Sequence, residues 1–239
     1  MKIKNIHDFL KLKVRKDKFS EIPSGIRHAV PNIILMFIIF NVLILGISIF
    51  KKYRRSSLDR RFSLTKLGEK ILLFFFIIEN VVVSMISITF LYIIAFLFFK
   101  FRLSVWIVLG TYLIYLIFSF TISSLSVLLA LNFKREEGAE GVSILVANLL
   151  CALGGLWWPL EIVPSFFKKI GLILPSGIAM KILDKIVYFK VSPGDMFLEI
   201  FFLFIYFILF FHSPTLLLEK SICVSFLNYT KIKTFKSKF

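Results

Sequence analysis

Acidic residues, histidines and cysteines are all scarce in this 239-residue chain. It has 14 aspartates and glutamates against 30 lysines and arginines, three histidines and two cysteines. Cys151 lies inside an apolar run and Cys223 near the C-terminus, so neither a disulfide framework nor a metal-ligand spacing is present. His7, His28 and His212 are scattered, and no H-E-x-x-H or G-x-S-x-G stretch occurs, which excludes zinc-protease and nucleophile-elbow chemistry of recognisable form. None of the eleven glycines opens a G-x-x-x-x-G-K-[ST] loop, so any ATP and Mg²⁺ chemistry has to sit on another chain. The net charge of +16 would suit a nucleic-acid partner, but there is no zinc-finger spacing and no basic helix apart from an apolar run. No nucleic-acid partner, catalytic group or metal is therefore assigned. A secretory signal is not expected either: the first apolar run is too long for a signal h-region and lacks a small-residue cleavage site.

Only 18% of the residues are charged, against about a quarter in a soluble domain, and 58% are hydrophobic, with thirty phenylalanines. The charges cluster between apolar runs long enough to span a bilayer core, which needs roughly 20 residues at about 1.5 Å each. Five such runs are expected as spans: 30–50, 71–99, 104–131, 142–158 and 196–211. The second exceeds one crossing, so its first turns are expected in the interface or the helix tilts. The fold class is all-α, a polytopic membrane helical bundle of about five spans in the cytoplasmic membrane. Residues 30–211 form its transmembrane domain, 1–29 a basic N-terminal segment and 212–239 a basic tail. In the N-terminal segment "LKLKV" alternates like a strand, while Ile3, Ile6, Leu10 and Val14 share a helical face; the periodicity leaves both readings open.

Two hydrophilic interruptions and one polar pair stand out. The segment "GLWWPLEIVPSFFKKIGLILPSG" breaks an apolar chain with Pro159, Pro164 and Pro175. Pro159 is expected to end the fourth span; "SFFKKIGLI" then forms a short helix stopped before Pro175, and "SGIAMKILDKIV" a second. Non-helical backbone at membrane depth must be buried in protein or line a cavity, so a re-entrant pair of half-helices is expected, with Trp157 and Trp158 at the interface. An ordinary amphipathic loop is the alternative. In the 51–70 loop, Ser56 or Ser57 can cap a short surface helix with Asp59 in its first turn. Leu58 and Phe62 share one face, and Arg54, Arg55, Arg60 and Arg61 supply charge for acidic groups of a partner or for anionic lipid head groups. Glu79 and Asn80, inside the second run, are candidates for an intramembrane polar site.

Together, "VPNIILMFIIFN", "YRRSSLDRRFSLTKLGEKILL" and "GGLWWPLEIVPSFFKKIGLILPSGIAMKIL" resemble the permease subunit of type-2 ABC exporters over roughly residues 21–211. The shared pattern is a Pro-entered span, an "ERR-x-G-T-L-x-R"-type loop, three spans, and an outer segment of the form "G-x-x-x-P-x-E-x-x-P-x-F". Glu161 occupies the acidic position of that segment. The resemblance implies that Arg54 to Phe62 form a coupling helix seated on an ABC ATPase subunit, and that Trp157, Trp158, Pro159, Glu161, Pro164 and Pro175 belong to outer helices that roof the path. It further implies a second permease, identical or different, a membrane setting, and an export substrate that the apolar path leaves open among drug, lipid, glycan and peptide. The family pattern has six spans with both termini inside. Here the thirty basic residues divide evenly between the two sides, and the first eight, in residues 1–29, cause the tie. The expectation is a member lacking the family's first span. A non-transporting remnant and a membrane enzyme using Glu79 and Asn80 are the rival readings.

Overall fold

The computed structural model describes residues 25–55, 66–101, 103–133, 136–160, 162–187 and 196–212. Among them every regular element is helical. α1 (Ile26–Phe40) runs through a π-helical turn (Asn41–Leu45) into α2 (Gly46–Arg55) without a break. α3 (Lys66–Phe99), α4 (Val105–Asn132) and α5 (Glu136–Leu153) follow, then two short helices, α6 (Ser165–Ile173) and α7 (Pro175–Val187), and finally α8 (Phe197–His212). Three stretches are long and apolar enough to cross a membrane: His28–Lys52, Ile71–Phe99 and Val105–Asn132. α8 is apolar but shorter. The protein is an all-α membrane helical bundle.

α4 is the central post. Its most apolar stretch is 61% buried, against 22% for that of α3. Small hydroxyl residues on α4 allow this: Thr111, Ser119, Thr121, Ser123, Ser124 and Ser126 are all buried. Small polar side chains let backbones approach where lipid offers no hydrophobic drive for association. Thr121 and Ser124 donate back to the carbonyls of Ile117 and Phe120, both at 2.9 Å, so their hydroxyls need no neighbour. α1, packed against α3, α4, α5 and α7, buries Ile34, Leu35, Ile38 and Ile39, while the outer side of α3 leaves Phe75, Ile86, Phe90 and Leu97 exposed.

Three expectations are corrected. The fourth span does not run to Trp158, and Pro159 does not end it: α5 stops at Leu153. Gly155 adopts a left-handed φ of 81°, and Leu156 N–H donates to Cys151 O at 3.0 Å, the 6→1 bond of a glycine-terminated helix. α5 also begins at Glu136, ahead of the apolar run at 142–158 expected as the fourth span. The first helix starts at Ile26, so Pro31 lies in its second turn instead of at its entry. The short pair stands as the prolines suggested. Pro164 precedes α6, Leu174 is extended as a residue before proline should be, and Pro175 opens α7 where a missing N–H costs least.

Candidate functional site

The short pair is built on the end of α5 by three glycines. A Cβ on Gly154 would reach the Ser176 side chain, one on Gly171 the Leu153 carbonyl, and one on Gly177 the Gly171 carbonyl. No other residue permits this approach of three helix ends. Ser176 seals the corner by donating to Leu150 O at 2.7 Å in a buried position. α7 then turns a continuous stripe inward that includes Ser176, Gly177, Met180, Leu183, Asp184 and Val187, all buried.

Asp184 is an acid on that apolar stripe, and its partner comes from the start of α1. His28 Nδ1 lies 2.8 Å from Asp184 Oδ1, and the Asn32 amide nitrogen lies 2.9 Å from His28 Nε2. With Asn32 donating to Nε2, the ring proton sits on Nδ1 and is donated to the carboxylate. All three residues are buried, and Asn32 Oδ1 has no partner among the described residues. On the other side of α7, Lys185 and Lys181 both reach Glu199 of α8, at 2.6 and 3.0 Å. Tyr206 of α8 donates to Ile173 O at the end of α6. Nearby, Tyr115 hydroxyl approaches Pro31 O, and Tyr92 and Tyr112 stack at 5.5 Å with hydroxyls on Thr111 and Thr89.

The residues singled out in the sequence fall into three groups. Trp157 and Trp158 are exposed and meet edge to face at 5.7 Å. Trp158, Pro164 and Phe167 border a 380 Å³ cavity over Leu153; Pro159 is half-buried, and Pro175 is buried at the α6–α7 corner. Glu161 lies outside the described residues. Glu79 and Asn80 do not form a pair. Glu79 is exposed, whereas buried Asn80 donates to Phe76 O at 3.0 Å and packs beside Gly46, because neighbours on a helix point about 100° apart. Arg54 and Arg55 belong to the last turn of α2, a continuation of the first span; Leu58, Asp59, Arg60, Arg61 and Phe62 lie outside the described residues. At that end Ser48 bonds Glu140, and Lys51 donates to Phe133 O, fastening α2 to α5 and to the end of α4.

Sequence reasoning missed His28 and Asp184 as a pair, since 156 positions separate them. A lone acid on the apolar stripe of an amphipathic helix was the available signal. The architecture defines the class: a helical membrane protein whose short helix pair is inserted between apolar helices. The sequence model of the ABC-2 family transporter proteins matches residues 5–212. The chain belongs to that family and is a membrane permease of an ABC transporter. No curated protein matches it.

Proposed function

We propose that the chain is the permease half of an ATP-driven exporter of the cytoplasmic membrane, working with a second permease and with a separate ABC ATPase that carries the ATP and Mg²⁺. The observation that supports this reading best is the short pair α6–α7, fastened by glycines at the bundle end opposite the last turn of α2. Residues 51–70 lie inside, where Leu58 and Phe62 anchor the segment on the ATPase and Arg54, Arg55, Arg60 and Arg61 meet acidic groups. Asp59 supports the first turn of that contact. The α6–α7 end lies outside, and Trp157 and Trp158 rest at the membrane surface as amphipathic rings do. Residues 30–211 form the transmembrane domain, between a basic N-terminal segment and a basic tail. Closure of the ATPase pair on ATP presses residues 51–70, and the short helices yield at the far end. Only a nucleotide that binds the two states differently can drive that change.

Replacing Arg60 and Arg61 by alanine tests the reading. Coupled ATP hydrolysis in vesicles should fall sharply while the chain still folds and inserts. Unchanged coupling would refute the assignment of this segment, and a turnover independent of any ATPase would point to a membrane enzyme.

A further inference from the structure

Where α3 ends and α4 begins, the two helices leave a 660 Å³ cavity between them, a size that suits a small organic ligand. Its floor is aromatic: Tyr92 stacks on Tyr112 at 5.5 Å and on Phe101 at 6.4 Å. Hydroxyl groups reach the cavity, but their protons are already committed. Tyr92 bonds Thr111, which donates on to Val108 O, and Tyr112 donates to Thr89, which donates on to Met85 O. Among the described residues no charged side chain lines it. A sugar or a peptide would lose its water here without gaining donors, whereas a hydrocarbon chain would lose nothing. The open side faces lipid, because the lining residues Ile93, Phe96 and Leu97 are all exposed.

The water end of the cavity carries a strained backbone. α3 stops at Phe99, and Phe101 N–H folds back to Ala95 O at 3.1 Å, the helix ending that glycine usually makes. Lys100 takes the left-handed position instead, at a φ of 51°, where glycine would cost less. That turn buries Phe101 against the floor and leaves Lys100 exposed at the end of the span. From Thr89 to Lys100 α3 rises about 16 Å, close to half of the roughly 30 Å hydrocarbon core. The cavity is one leaflet deep, with a cation at its mouth.

We propose that this cavity holds one acyl chain of an anionic phospholipid, whose phosphate rests on Lys100. The rings of Tyr92, Phe101 and Tyr112 pack the chain, and the left-handed turn sets the ammonium at the depth of the head group. The site needs no ATPase, so it stands apart from the reading of residues 51–70.

The transporter is reconstituted in vesicles of phosphatidylcholine and phosphatidylglycerol, with traces of each lipid carrying a diazirine on its acyl chain. After illumination the labelled peptides are mapped. Phosphatidylglycerol adducts should concentrate on the cavity residues over other exposed positions of α3, such as Phe75 and Ile86. Leu97→Trp fills the opening from an exposed position, so it should remove the cavity adducts while the other positions keep theirs. Lys100→Gly removes the charge and also relieves the turn, so the helix end is kept. With it the cavity's preference for phosphatidylglycerol should fall about fivefold, the contribution of one lysine at a membrane surface. Even labelling along α3 would overturn the proposal, leaving only the lipid that surrounds any span. Equal cavity labelling by the two lipids in the parent would overturn it as well. So would an unchanged preference in Lys100→Gly, or cavity adducts that survive in Leu97→Trp.

Discussion

Replacing Gly177 with alanine puts one methyl group where α6, α7 and the end of α5 meet. The new Cβ would overlap the Gly171 carbonyl oxygen, lie 2.8 Å from its carbon and stand 3.4 Å from Gly154 O. These are backbone atoms and cannot rotate away, so α7 has to retreat by about 1.5 Å to restore an ordinary contact. Overpacking of this kind costs about 1–3 kcal/mol. The retreat also stretches the neighbouring Ser176 bond to Leu150 O, now 2.7 Å, worth about 0.5–1.5 kcal/mol. Alanine returns about 1 kcal/mol of helix propensity, leaving a net loss of roughly 0.5–3.5 kcal/mol, or a fall in Tm of roughly 1–14 °C for a chain of this size. Gly141→Ala is the control: it sits in α5 with nothing within 4 Å of the new Cβ, so it should keep or slightly raise Tm. Thermal unfolding of the detergent-purified protein, followed by tryptophan fluorescence, reads both. A Gly177→Ala protein that melts with or above the parent would refute the claim that glycines set the short pair in place.

Two further substitutions probe other parts of the structure. Gly155→Ala should lose about 1–2 kcal/mol from the left-handed backbone alone and more from Leu160, whose Cγ would stand 2.6 Å from the new Cβ; unfolding midpoints check this. Tyr92→Phe removes a hydroxyl bonded to Thr111 at 2.8 Å while keeping the ring stack, so the same assay should show a loss of only about 0.5–1.5 kcal/mol.

Much of this architecture could be read from local chemistry. The "SFFKKIGLI" helix has the bounds its flanking prolines dictate, and α4 begins one residue after Ser104 as its apolar run suggests. Proline acts through the residue beside it, so sequence alone carries that signal. The end of α5 was misplaced because the first visible breaker, Pro159, was given the role that Gly155 performs through its positive φ. The π-turn at residues 41–45 has no pattern of its own, being set by packing against α3, α4 and α5. At the candidate site, the prolines and tryptophans were legible because they punctuate an apolar run. His28 and Asp184 were not, because a buried polar pair is a property of two helices brought together by the core. Asn80 and Glu79 were read as one feature, and the helix turns them to different faces.

The central claim is that this permease works through a separate ATPase. The most direct measurement is to purify the tagged chain from its own membranes in mild detergent and assay ATP hydrolysis, identifying whatever chain co-elutes. The account predicts vanadate-sensitive hydrolysis and a companion bearing a G-x-x-x-x-G-K-[ST] loop, with both lost when Arg60 and Arg61 are replaced by alanine. A folded permease that elutes with no ATP-hydrolysing companion would contradict it.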